Sequence, residues 1–172
     1  MSIEGAGMQR TFVPDPGNHR LLRDAFGRFT TGVTVVTTQS EDGPVGITAN
    51  SFSSVSLDPP LVMWAPGRSS RRFRYFSEAE HYAIHVLGAA QRDLCYAFAR
   101  DGHLIESIPH DVNAHGVPLI PGCLARFECT RVATHEGGDH VLVLGRVDRF
   151  EMREGEALAF YAGKMTELPA GK

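Results

Sequence analysis

Long apolar runs, paired cysteines and an excess of either charge are all missing from this sequence of 172 residues. No stretch approaches the roughly 20 apolar residues of a membrane-spanning helix, so no membrane partner is expected. The N-terminus lacks the basic start and apolar core of a secretory signal, which makes the cytoplasm the expected location. The three cysteines, Cys95, Cys123 and Cys129, are odd in number and show no CxxC spacing. That argues against a disulfide framework and a zinc ribbon, and in favour of buried free thiols. A formal charge of −3 offers no general attraction to nucleic acid or anionic lipid, and no nucleic-acid partner is expected. The GxSxG nucleophile elbow is absent, as is the GxGxxG turn of a Rossmann dinucleotide fold.

What is present fits a single domain of ordinary composition, 42% hydrophobic and 22% charged. Residues 1–17, with Gly5, Gly7, Pro14 and Pro16, read as a flexible arm ahead of a domain at 18–168. Asn18 reads as the N-cap of a helix to about Phe29, with Leu21, Leu22, Ala25, Phe26 and Phe29 on one face. Val33 to Thr38 is largely β-branched, Glu41-Asp42-Gly43 is a turn signal, and Val45 to Asn50 reads as the returning strand. Further strands are expected at Leu61 to Trp64, His81 to Leu87 and Leu158 to Tyr161. Leu124 to His135 and Val141 to Glu151 form a long hairpin turning at Gly137-Gly138. Short helices are expected through Phe76, capped by Ser69 or Ser70, and over Ala90 to Arg100. The segment from Asp101 to Gly122, which holds His103, His110 and His115, shows no clear period. Many strands joined by hairpins point to a mainly β, antiparallel barrel with a few peripheral helices.

Thr48, Asn50, Ser51, Ser53, Ser54 and Ser56 are the densest polar cluster in a strand-like region. Their hydroxyls and amide suit a planar heterocycle with alternating donors and acceptors; a solvated sheet edge is the other reading. Arg68, Arg71, Arg72 and Arg74, interleaved with Ser69 and Ser70 after Gly67, suit a phosphate at a helix start, or else a solvated basic face. His81 and His85 alternate with Tyr82, Ile84 and Val86, so they lie on a strand. Four strand steps of about 3.3 Å then separate them too far to share one metal ion, and no metal site is expected. His140, after the glycine turn, either presents its imidazole to a cleft or sits in water.

Taken in order, several segments resemble the flavin reductase-like, FMN-binding split-barrel family. They are Phe29 to Thr37, Asp42 to Phe52, Ser54 to Val62, His85-Val86-Leu87, Gln91, Leu94, Phe98-Ala99 and Gly138-Asp139-His140. The resemblance implies an antiparallel split β-barrel, a homodimer, and a flavin groove near the subunit interface. It implies flavin contacts at Pro44, Val45, Gly46, Ile47, Thr48, Asn50 and Ser51. The contacts continue at Ala65, Pro66 and Gly67, at Ser70, Arg71 and Arg72, and at Ala97 and Phe98. NADH or NADPH is implied to approach near His140 and Phe160, Tyr161, Ala162 and Gly163. The implied activity is hydride transfer from nicotinamide to FMN or FAD, with His140 as an orienting residue in catalysis. The product, reduced flavin, would serve a partner monooxygenase; an FMN-binding electron carrier without turnover is the alternative. Met165 departs from the aromatic residue that relatives carry there.

Overall fold

β-branched residues dominate the segment after Thr31-Gly32, and the extended backbone they favour organises the whole chain. A computed structural model describes residues 10–170. The expected arm at 1–17 thus lies partly outside the described residues; its described part is exposed and runs into a 3-10 turn at Pro16–Asn18. Helix α1 (His19–Phe26) comes next. The strands β1 (Thr31–Gly32), β2 (Thr34–Ser40), β3 (Gly43–Ala49), β4 (Ser53–Leu57) and β5 (Pro60–Trp64) follow. Helix α2 (Phe73–Glu78), strand β6 (His81–Val86) and helix α3 (Arg92–Arg100) make up the middle. The short β7 (Asp111–Val112) and β8 (Pro118–Leu119) precede the long β9 (Ala125–Gly137) and β10 (His140–Met152). Strands β11 (Ala157–Tyr161) and β12 (Lys164–Leu168) close the sequence of elements.

Seven strands form one antiparallel sheet in the order β3-β2-β6-β9-β10-β5-β4. Val45 of β3 and Val62 and Trp64 of β5 share one buried cluster with Val36, Tyr82, Ile84, Cys129 and Val143. The two flanks of the sheet therefore bend around a common core, which is the expected split barrel. A second sheet, β1-β11-β12, is tied to the first by Leu87, whose N–H donates to Val33 O and whose carbonyl accepts from Leu158 N. Val33, Leu87, Phe98 and Leu158 fill the space between this sheet and α3.

Several local expectations need correction. Helix α1 stops at Phe26 with Gly27 as its C-cap, short of Phe29, and its apolar face is not covered within the described chain. Ser70 does not cap α2: the helix starts at Phe73, and the Ser70 hydroxyl accepts from Arg72 N in the turn before it. Thr31-Gly32 is itself a strand, paired with Phe160 and Ala159. β3 ends at Ala49, so Asn50 leaves the sheet. Strands β4 and β12 have no counterpart in the sequence reading. Gly138, with φ of 71°, makes the β9–β10 turn where a Cβ would be strained.

His85 is fully buried on β6. Its Nδ1–H donates to Val35 O at 3.0 Å, and its Nε2 accepts from Ile120 N at 3.0 Å. Only the neutral ring satisfies both partners, and burial lowers its pKa to about 3. The unfolded chain binds a proton below about pH 6.5 that the fold refuses, so this contribution is intact above 6.5 and lost as pH falls toward 3. Wild-type stability is expected to fall by about 1.4 kcal/mol per pH unit relative to His85→Gln across that window. Urea unfolding at several pH values checks this; parallel profiles would contradict it.

Candidate functional site

The β2–β3 hairpin sets Val35 opposite Thr48 and Thr34 opposite Ala49. The Thr48 hydroxyl donates to Cys95 O at 2.8 Å and pins β3 to α3. Past Ala49 the chain turns outward. Ser51 Oγ accepts from Ala65 N at 2.9 Å and donates to Ala65 O at 3.2 Å, which holds the ends of β3 and β5 together. Asn50, between these two tethers, is exposed, and its amide has no hydrogen-bond partner among the described residues.

A cavity of about 310 Å³ opens here, lined by Val33, Thr48, Ala49, Asn50, Phe160 and Met165. Its lining is apolar apart from Thr48 and Asn50, and Phe160 and Met165 are cross-strand partners on β11 and β12. A flat apolar face with polar groups confined to one margin is what a planar heterocycle requires. Val33, Ala49 and Met165 are lining residues that the polar motif did not single out, because an apolar side chain on a strand carries no signal of its own.

Gly46 is buried: a Cβ there would lie 2.5 Å from the Phe98 ring. Its N–H donates to Gly102 O at 2.8 Å. Val45 and Phe98 are fully enclosed, Ala97, Pro44 and Ile47 half-buried. None of these positions lines the cavity; Val45 and Phe98 belong to the two hydrophobic cores.

The arginine-rich turn divides its labour. Arg72 Nη1 donates to Gly46 O at 2.9 Å and Phe98 O at 2.5 Å, and Nη2 donates to Ala99 O at 2.9 Å. Arg68 pairs with Glu136 and lies over the Phe73 ring, and Arg74 pairs with Asp42 at 2.5 Å. Arg71 is exposed and makes no ion pair among the described residues. Of the four, Arg71 is the guanidinium left available to an outside anion, beside the Ser70 turn.

Ala65, Pro66 and Gly67 lead from the Ser51 tether to His140. Val141 N donates to Pro66 O at 3.1 Å and Arg68 N to Asp139 O at 2.9 Å, so Gly67 and His140 form a bridge. The imidazole lies against Gly67, where a Cβ would be 3.3 Å from Nε2. Asp139 Oδ1 accepts from His140 Nδ1 at 2.8 Å, and that bond holds the Asp139 carboxyl below its ordinary range. The His140 side chain is half-exposed, and its Nε2 has no hydrogen-bond partner among the described residues. Tyr161 is exposed and Ala162 adopts a left-handed backbone, φ 47°, in the β11–β12 turn.

A larger cavity, about 680 Å³, lies elsewhere, between 112–115 and strands β6, β9 and β10. Most of its charges are paired, Arg149 being the exception among the described residues. Arg126 pairs with Glu151 at 2.9 Å, Arg146 with Asp148 at 2.9 Å, and Glu128 accepts from Asn113 at 2.9 Å. The His81 and His115 rings stack 3.7 Å apart within it. Among the described residues, no group of three or more His, Cys, Asp or Glu is placed to hold a metal ion. The three thiols are buried and free, and burial raises each of them, Cys129 to about 12, which makes them poor nucleophiles. Among the described residues, no helix is long and apolar enough to cross a membrane.

The profile of the flavin reductase like domain matches residues 26–169. An FMN reductase (NADH), SmoA, of Agrobacterium fabrum is 52% identical over 155 residues, 90% of this chain and 89% of the relative. The reductase subunit HsaB of a flavin-dependent monooxygenase of Rhodococcus jostii is 34% identical, covering 99% of this chain and 87% of its own. Two further relatives at 42% identity are longer, and the chain spans 47% and 50% of them. Among solved structures, the Streptomyces globisporus C-1027 NADH:FAD oxidoreductase SgcE6, in complex with NAD and FAD fragments, superposes with a TM-score of 0.82. It is 35% identical, with 91% of this chain and 96% of that one covered. An apolar slot with one free amide, a spare arginine and a braced histidine thus sits on a profile matched nearly end to end: the chain belongs to the flavin reductase like domain family.

Proposed function

We propose that this protein is an NAD(P)H-dependent flavin reductase that passes reduced FMN or FAD to a separate monooxygenase. The observation that carries the reading is the 310 Å³ slot whose one unpartnered polar side chain is Asn50. A flavin, when bound, supplies the hydride-accepting ring system. The protein's part is to bind and orient. Thr48 and Asn50 line the ring's polar margin, and Val33, Ala49 and Met165 its apolar faces. Arg71 and Ser70 receive the phosphate end. His140, oriented by Asp139, and Phe160 and Tyr161 receive the nicotinamide. No proton need be abstracted for hydride transfer, so His140 positions the donor and does not act as a base.

Loss of NADH absorbance that depends on added FMN or FAD tests the activity. No flavin-dependent oxidation with either nucleotide would refute it. The electron-carrier alternative drew on the arginine-rich segment for tight retention. Arg68, Arg72 and Arg74 all have partners within the protein, which removes most of that support. His140→Ala is expected to raise KM for the nicotinamide donor about three- to tenfold, the worth of one hydrogen bond or packed ring, with flavin affinity retained. Equal loss of both would make His140 structural.

The protein acts as a homodimer in this reading. Leu57, Phe150 and Met152 are exposed, at 96%, 62% and 72%, and leave apolar surface for a second copy. Three unpaired thiols agree with a reducing compartment such as the cytoplasm.

A further inference from the structure

We propose that the pocket on the outer face of strands β6, β9 and β10 binds a small organic anion bearing two or more carboxylate or phosphate groups. The pocket, about 680 Å³, shares no lining residue with the 310 Å³ slot and takes no part in hydride transfer. Its volume is that of a small-molecule site.

Strand alternation builds the floor. Tyr82, Phe127 and Val147 turn into the main core, so His81, Arg126, Glu128 and Thr130 point outward. Arg149 is the cross-strand partner of Glu128 and faces the pocket, whereas Phe150, the partner of Phe127, faces away from it. Residues 112–115 form the rim. Asn113 Oδ1 accepts from His115 N at 2.9 Å and from Val117 N at 3.0 Å. Its Nδ2 donates to Glu128 Oε2 at 2.9 Å, which ties the rim to β9 and stands the His115 ring over His81.

Charge alone does not choose a ligand here, since Arg126, Arg146 and Arg149 are matched by Glu128, Asp148 and, behind Arg126, Glu151. Hydrogen-bond capacity does. Asp148 Oδ1 accepts from Arg146 Nε at 2.9 Å, and Oδ2 from the Thr130 hydroxyl at 2.5 Å. Thr130 has then spent its proton, so its oxygen accepts from His81 Nδ1–H at 3.2 Å. Glu128 is engaged by Asn113, and Glu151 by Arg126. The acceptors are taken; the donors are not. Both terminal nitrogens of Arg146, the whole Arg149 guanidinium and the His115 ring nitrogens have no hydrogen-bond partner among the described residues. Spare donors around a pocket call for an acceptor-rich ligand, and guanidinium forks match carboxylate and phosphate. Arg146 and Arg149 stand three residues apart on β10, a span of at most roughly 10 Å. Two acidic groups on one molecule fit that span better than a single oxyanion does.

Calorimetric titration with citrate and with inorganic phosphate, each against sodium chloride of equal ionic strength, tests this. Citrate should bind about tenfold or more tightly than phosphate, and sodium chloride should give no saturable heat. Arg149→Gln and Arg146→Gln should each weaken citrate about tenfold, a change of about 1.4 kcal/mol. Arg74→Gln, at an arginine of another pocket held by Asp42, should bind citrate as wild type does. Arg149→Gln should also unfold in urea at the wild-type midpoint, since the side chain has no partner in the fold to lose. A shifted midpoint would overturn the assignment of Arg149 as a free donor. No saturable citrate binding, or equal binding by wild type and both pocket variants, would overturn the site. Phosphate binding as tight as that of citrate would overturn the requirement for two acidic groups.

Discussion

Gly145→Ala should cost about 3 kcal/mol or more and leave little folded protein at physiological temperature. Gly145 lies at a register shift between β9 and β10, and its absent side chain is filled by Tyr82. An added Cβ would stand 2.0 Å from the Tyr82 hydroxyl and 2.9 Å from its Cζ. Tyr82 cannot swing away: it is 1% exposed and packed with Trp64, Phe76 and Ile84 in the main core. Burial there also drives its phenol pKa well up, so ionisation offers no relief. The companion variant Tyr82→Phe removes the atom that clashes hardest. In the double variant the penalty should shrink by roughly half, a coupling read from urea unfolding of all four proteins. Strict additivity would mean the backbone moves and the clash is not what matters.

Arg72→Ala should lower stability by on the order of 3 kcal/mol and weaken flavin binding at the same time. One guanidinium joins three carbonyls, Gly46 O from β3 and Phe98 O and Ala99 O from the end of α3. Each is a charge-assisted bond worth about 1.5–3 kcal/mol in full burial, discounted here because Arg72 is half-exposed. Burial presses its pKa down and Asp101 opposes that shift, as expected of a charge used inside the structure. Arg72→Lys keeps the charge but not the fork, and should recover only a minor part of the loss. Arg71→Ala should do the reverse, lowering flavin affinity with stability unchanged. If Arg72 instead held the phosphate alone, Arg72→Ala would spare stability and Arg71→Ala would spare affinity. Unfolding curves and flavin fluorescence on the three variants separate the cases.

That exchange of roles between neighbouring arginines shows where sequence reasoning stops. Residue type and spacing locate a basic turn, because both are local. Which arginine faces a ligand depends on Phe98, Ala99 and Gly46, and nothing in residues 68–74 encodes their approach. The same divide runs through the fold. The β2–β3 hairpin, β6, α3 and the β9–β10 hairpin were legible since each carries its own period or turn signal. β4 was not: Ser53, Ser54 and Val55 are all exposed on an edge strand, so no buried face imposes alternation. β12 escaped likewise, with Lys164, Thr166, Glu167 and Leu168 exposed and only Met165 turned inward. α1 shows a clean apolar stripe, yet the described residues bury none of it fully. Asn50 and His140 stand out by motif, while the tie of α1 to the β11–β12 turn is a backbone contact between Gly27 and Ala162 that no local pattern encodes.

The pairing of Thr31 with Phe160 joins an early segment to a late one. A ribosome releases the chain from its N-terminus, so β2, β3 and β6 can pair long before β11 and β12 emerge. Until then the slot has a floor, Val33 and Ala49, and no roof. The later segment Ala157–Leu168 therefore both completes the second sheet and adds Phe160 and Met165 to the lining of the slot. A chain truncated before Ala157 would keep the strands of the main sheet and lose Phe160 and Met165 from the lining of the slot.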